Sequence, residues 1–154
     1  MIRNVNFFDK IGSLIPGYSG YAERDSRRNC DKLLREALSS KLSENESMVI
    51  KLINKSIKDS NRQLMRELES IRKEINTTYS KIKFSPYGVS SFFSDDQIKE
   101  DELAEIYKFD LNLSKEIDDF SSNLLSYKND QLSISLAKIN DLLNLRNQYI
   151  KNHK

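Results

Sequence analysis

The sequence predicts an all-α fold: an antiparallel helical bundle of three to five helices with two long helices. Three observations carry this. The 154 residues hold only 4 glycines and 2 prolines, far fewer turn formers than sheets or irregular folds require. Apolar residues recur at steps of three and four along most of the chain, which places them on one helical face. Charged residues make up 31% and hydrophobic residues 38%. That balance suits long amphipathic helices, which expose much surface for each residue they bury. The length is that of one domain, enough to bury a core without disulfide or metal. Residues 1–154 are therefore read as one domain, with no internal repeat and no low-complexity stretch.

Residues 1–19 form a short segment and a turn. Val5, Phe7, Phe8, Ile11, Leu14 and Ile15 supply one or two helical turns, which stop at the turn signal Pro16-Gly17. A helix is expected from about 20 to 42, with Cys30, Leu33, Leu34, Ala37, Leu38 and Leu42 on one face. Ser43-Glu44-Asn45-Glu46 reads as a capping box that opens a second helix. Its apolar positions run Val49, Leu52, Ile53, Ile57, Leu64, Leu68, Ile71, Ile75 and Ile82. From Leu64 the steps take a coiled-coil rhythm. Residues 58–63 contain no apolar side chain, so a kink or an exposed waist belongs there.

Residues 83–94 form an irregular, aromatic-rich loop with Phe84, Tyr87, Phe92 and Phe93. Ser94-Asp95-Asp96-Gln97 caps the next helix, expected over about 95–128, and the acids near its start suit the helix dipole. Its stripe is Leu103, Ile106, Asp110, Leu113, Ile117, Phe120, Leu124 and Tyr127. The last helix, about 131–150, places Leu132, Leu136, Ile139, Leu143 and Ile150 on one face.

The composition limits the possible chemistry. The single cysteine, Cys30, precludes an intramolecular disulfide and lies on an apolar face, as a buried, inert thiol would. The first nine residues lack the apolar core of a signal peptide, and no run approaches the roughly 20 apolar residues that span a bilayer. A cytoplasmic location is expected. The lone histidine, His153, stands next to the end, so no triad or zinc site can be built around it. There is no glycine-rich phosphate loop and no Glu-x-x-His pair. No enzyme activity, cofactor or small-molecule substrate is expected.

Net charge is +2, but unevenly spread. Residues 1–83 carry 17 basic and 11 acidic side chains, and residues 84–154 carry 8 and 12. The two halves should attract each other.

Three features stand out. Asp110 falls in register on an apolar stripe, where a carboxylate needs a partner. Arg27 or Arg28 is the expected one, with the pair fixing register; the alternative is that drift of the stripe places Asp110 at the rim. The basic run Arg24, Arg27, Arg28, Lys32 and Arg35 lies on one helical side, edged by Tyr18 and Tyr21. Acids interleave with it, so internal salt bridging to the acidic second half is its expected role, and an anionic surface its other possible partner. The aromatics of residues 84–93 either plug the end of the bundle, the favoured reading, or form an exposed docking patch.

Pro16-Gly17-Tyr18-Ser19-Gly20-Tyr21, Arg27-Arg28 and Asp31-Lys32-Leu33-Leu34-Arg35-Glu36 resemble the start of a family of small bacterial helical proteins. Tyr87-Gly88, Phe92-Phe93 and Tyr107-Lys108-Phe109-Asp110-Leu111 are also similar to it. The resemblance implies a bacterial, cytoplasmic helical domain, brings no activity, and implies that the arginines, Asp110 and the two irregular stretches meet at one end of the bundle. The functional expectation is a non-enzymatic interaction or scaffold module. It would bind a protein partner, or self-associate through the coiled-coil stretch 64–82. The alternative is a peripheral binder of a membrane or nucleic acid through residues 24–35.

Overall fold

The computed structural model describes residues 11, 15, 20, 21, 27–84, 99–126 and 129–152. Four helices are present among them: α1 (Arg27–Lys58), α2 (Arg62–Lys83), α3 (Glu100–Ser126) and α4 (Asn129–Asn152). They pack as an all-α bundle. The Pro16-Gly17 turn and the cap at 94–97 lie outside the described residues, as does almost all of the loop 83–94.

Expectation and structure differ over where the first half of the chain divides. α1 runs through Ser43 without interruption, and the break falls at 59–61. The reason is visible in the buried face. Leu34, Leu38, Leu42, Asn45 and Val49 continue one stripe across the supposed cap, and no glycine or proline ends the helix before it. Glu46 does not fold back to Ser43; it meets Arg72 of α2 at 3.5 Å. The apolar gap at 58–63 is the true boundary.

The chain leaves α1 by a Schellman closure. The Ser60 amide donates to the Ile57 carbonyl at 3.1 Å, and the Asn61 amide to the Ser56 carbonyl at 2.8 Å. This geometry needs one left-handed residue, and Ser60 supplies it with φ 56°. Asn61 then caps α2 by accepting from the Leu64 amide at 3.2 Å.

Register fixes the topology. Arg35 reaches the Lys83 carbonyl at 3.1 Å while Glu46 faces Arg72, so α1 and α2 are antiparallel. Asp110 with Arg146, and Glu116 with Ser135, set α3 and α4 antiparallel. Lys41 pairs with Asp118 at 2.7 Å and Asn45 with Ser121 at 3.0 Å, numbers that climb together. The two hairpins therefore lie side by side with α1 parallel to α3. Past the Asn45–Ser121 contact α3 continues for five residues and α1 for thirteen. The end of the α1–α2 hairpin thus projects about 12 Å beyond α3, at 1.5 Å per residue.

Between the hairpins lies one core. Leu38, Leu42, Leu68, Ile75, Ile106, Phe120, Leu136 and Ile139 are all buried in it. Each such side chain contributes about 1.5–3 kcal/mol relative to exposure. The coiled-coil residues Leu68, Ile71, Ile75 and Ile82 belong to this core, so that stripe is spent inside the chain. Ile11 and Ile15 are buried as well, and the Ile15 amide donates to the Ile11 carbonyl at 2.9 Å, as in a helical turn. No helix among the described residues is long and apolar enough to cross a membrane.

Candidate functional site

Among the described residues, the densest set of ionisable groups is a buried cluster at the end of the bundle where α1 begins. Its centre is Arg146 of α4, whose side chain is 1% exposed. Its Nε donates to Asp110 Oδ1 at 2.8 Å, and its Nη2 to Asp31 Oδ1 at 2.6 Å and to the Tyr21 hydroxyl at 3.3 Å. Tyr21 in turn donates its hydroxyl to Asp110 Oδ2. Arg35 Nε closes on the other oxygen of Asp31 at 2.9 Å.

Tyr21 is fastened through its backbone too. Its amide donates to the Tyr107 hydroxyl at 2.6 Å, and its carbonyl accepts from Arg27 Nε at 2.8 Å. The rings of Tyr21 and Tyr107 lie 5.3 Å apart, tilted by 43°, a favourable aromatic arrangement. Through Arg35 and the Lys83 carbonyl the network also reaches the end of α2. It therefore touches all four helices and the residue that precedes them by a short stretch.

The electrostatics follow from burial and charge. Burial pushes the Asp110 carboxyl above the usual aspartate value, with Arg146 and the Tyr21 hydroxyl pulling the other way. Burial also works against the Arg146 cation, but Asp110 and Asp31 outweigh it and hold the guanidinium well above its ordinary value. Burial and then Asp110 keep the Tyr21 phenol protonated far beyond its usual range. Tyr107 is raised by burial as well. Arg146 is thus a permanent cation between two acids, and Tyr21 a permanent donor. With its central groups buried, the cluster can hold the helices in register.

Asp110 is buried, as its place on the stripe implied, and its structural partner set now has names. The arginine that contacts it at 2.8 Å comes from the last helix rather than from Arg27 or Arg28. Arg27 is buried at the cluster, where it holds the Tyr21 backbone, and Arg28 is exposed. Tyr21, expected at a surface, is fully buried. Lys32 is exposed and faces Glu36 of its own helix at 3.9 Å. The basic run of α1 was expected to pair with the acidic second half. Arg35 pairs instead within α1, and the buried ion pair between halves runs from Arg146 back to Asp31.

Of the expected interaction surface, Tyr18, Arg24, Tyr87, Phe92 and Phe93 lie outside the described residues. Phe84 is 72% exposed and so takes no part in a plug. Lys83 lies over its ring at 5.7 Å and over the Tyr79 ring at 5.3 Å.

Two members, Arg146 and Asp31, escaped the sequence reading, although a signal existed for both. Leu143 and Ile150 are seven apart, and the stripe position between them is Arg146. Asp31 likewise stands three residues before Leu34 on the buried face of α1. Cys30, also fully buried, lies beside this cluster.

Among the described residues, no group of three or more His, Cys, Asp or Glu side chains is placed to hold a metal ion. No protein-family model, curated protein or solved structure matches the chain.

Proposed function

We propose that the chain is a non-enzymatic helical interaction module that works in the cytoplasm from the projecting end of its α1–α2 hairpin. The observation that supports this most is the exposure of aliphatic side chains there. Ile57 is 56% and Ile50 42% exposed, on one face of α1 two turns apart, with half-buried Met65 across the hairpin. Exposed apolar residues grouped on a protruding element are what a docking surface requires. At the opposite end the groups capable of acid–base work are engaged with one another and closed to solvent, which favours a structural role for them. Tyr21, Arg27, Asp31, Arg35, Tyr107 and Asp110, all within the motifs that resemble the small bacterial helical family, meet in that one cluster. Membership of that family is part of the same proposal.

The test is site-specific photo-crosslinking in the living cell. A photo-reactive residue at position 57 should yield a discrete adduct, and one at exposed position 32 should not. Adducts from 32 alone would move the interaction to the basic face of α1. Adducts from neither, with no binding to a non-protein surface, would refute the module.

A further inference from the structure

The same hairpin end carries a charge pattern that specifies its partner. Lys51, Lys55 and Lys58 recur at steps of four and three on one side of α1, and Arg62 and Arg66 at a step of four on α2. All five are exposed, and among the described residues none of them makes an ion pair. The only acid between residues 50 and 66 is Asp59, which leaves this end at +4. Elsewhere several described cations face acids, as Lys41 faces Asp118 and Lys108 faces Glu105. Here they surround aliphatic groups. A cleft of about 500 Å³ at the tip is lined by Ile57, Met65, Arg62 and Arg66, with Ser60 and Asn61 at its rim.

We infer that this tip docks on the surface of an anionic phospholipid bilayer, with its five cations on lipid phosphates and Ile57 and Met65 entering the headgroup boundary. The inference rests on the interaction-module reading and names its partner. Cations flanking exposed aliphatics are the composition of an interfacial anchor. A nucleic-acid surface would want stacking platforms beside the cations, and residues 50–66 contain no aromatic side chain. Among the described residues no helix is long and apolar enough to span, so the contact proposed for this tip is peripheral. The 12 Å projection lets the tip touch a flat surface without the remaining helices obstructing it.

The experiment is flotation of the full chain with vesicles of equal parts phosphatidylglycerol and phosphatidylcholine, and with pure phosphatidylcholine vesicles, at low and high salt. Binding is expected to the anionic vesicles only, and to weaken as salt rises. The variant Lys55→Gln/Lys58→Gln/Arg62→Gln should bind on the order of a hundred-fold more weakly, at about five-fold per cation near such a surface. Ile57→Asn should weaken binding about ten-fold, the worth of burying the exposed part of one isoleucine. Lys55→Arg/Lys58→Arg should bind normally. All these positions are exposed, and unchanged thermal melting checks that each variant folds. No flotation, equal flotation with neutral vesicles, or indifference to the triple variant would overturn the lipid assignment. Preference for a duplex oligonucleotide over the vesicles would overturn it too. If crosslinks from residue 57 then led to a protein, the lipid inference alone would fall. If neither vesicles nor crosslinks were seen, both would.

Discussion

Replacing Arg146 with methionine tests how the bundle is held together. The substitution keeps an unbranched side chain and removes the guanidinium, with its three cluster hydrogen bonds. Asp31 retains Arg35 at 2.9 Å. Asp110, at zero exposure, retains the Tyr21 hydroxyl. One buried carboxylate is thus stripped of its main counter-charge, and breaking a buried pair in this way costs about 3–5 kcal/mol. That is a large part of a folding free energy on the order of 10 kcal/mol for a chain of this length. Urea unfolding followed by far-ultraviolet circular dichroism measures it directly.

The charge origin of the loss has its own signature. Without Arg146, the largest influence opposing the burial that raises Asp110 is gone and the Tyr21 hydrogen bond is left to oppose it, so its folded pKa climbs further. A group whose folded pKa is raised holds its proton more tightly in the folded state. Stability therefore increases as pH falls from the raised value toward the unfolded value near 4. The deficit of Arg146→Met should narrow as pH falls through the raised Asp110 range, and adding Asp110→Asn should recover about 2 kcal/mol of it. A loss below about 1 kcal/mol, or strict additivity of the two substitutions, would refute the reasoning.

The turn between α1 and α2 offers an opposite pair of effects. Ser60→Gly relieves a left-handed serine and should stabilise the fold by about 0.5–1 kcal/mol, whereas Asn61→Ala removes the α2 cap and should cost about 1 kcal/mol. Urea midpoints moving the same way for both would contradict the closure described. Cys30, at zero exposure, should react with a thiol reagent only at the rate of unfolding; immediate labelling of the folded chain would place it elsewhere. In the intact cluster, Asp110→Asn should remove part of the stability that the folded protein gains as pH falls through the raised Asp110 range. Parallel urea midpoints for the two proteins across that range would show that Asp110 does not titrate as its burial dictates.

The helical periodicities of α2, α3 and α4 could be read from the sequence because apolar side chains mark them almost without exception. The boundary in the first half could not, because a Ser-x-x-Glu cap and a helix interior share the same spacing. What separates them is whether the stripe continues, and Leu42, Asn45 and Val49 carry it on. The site was half readable. Asp110 announced itself as a charge on an apolar stripe, and the same test applied to α4 finds Arg146. Which arginine meets Asp110 depends on how the two hairpins lie against each other, a tertiary fact that no local spacing holds. The basic run of α1 misled for a similar reason, since periodicity places Arg27 and Arg35 on a side but does not say that they turn inward to Tyr21 and Asp31. The unpaired charge of the hairpin end became visible only when the chain was seen to turn back at Ser60.

The division of labour between the two ends is tested most directly by amide chemical-shift mapping. The isotope-labelled chain would be titrated with a short-chain phosphatidylglycerol below its micelle concentration. Perturbations confined to residues 50–66, with those of 27–35 unmoved, are expected. Shifts centred on Arg28 and Lys32, or on α3 and α4, would contradict the placement of the interaction surface at the α1–α2 tip.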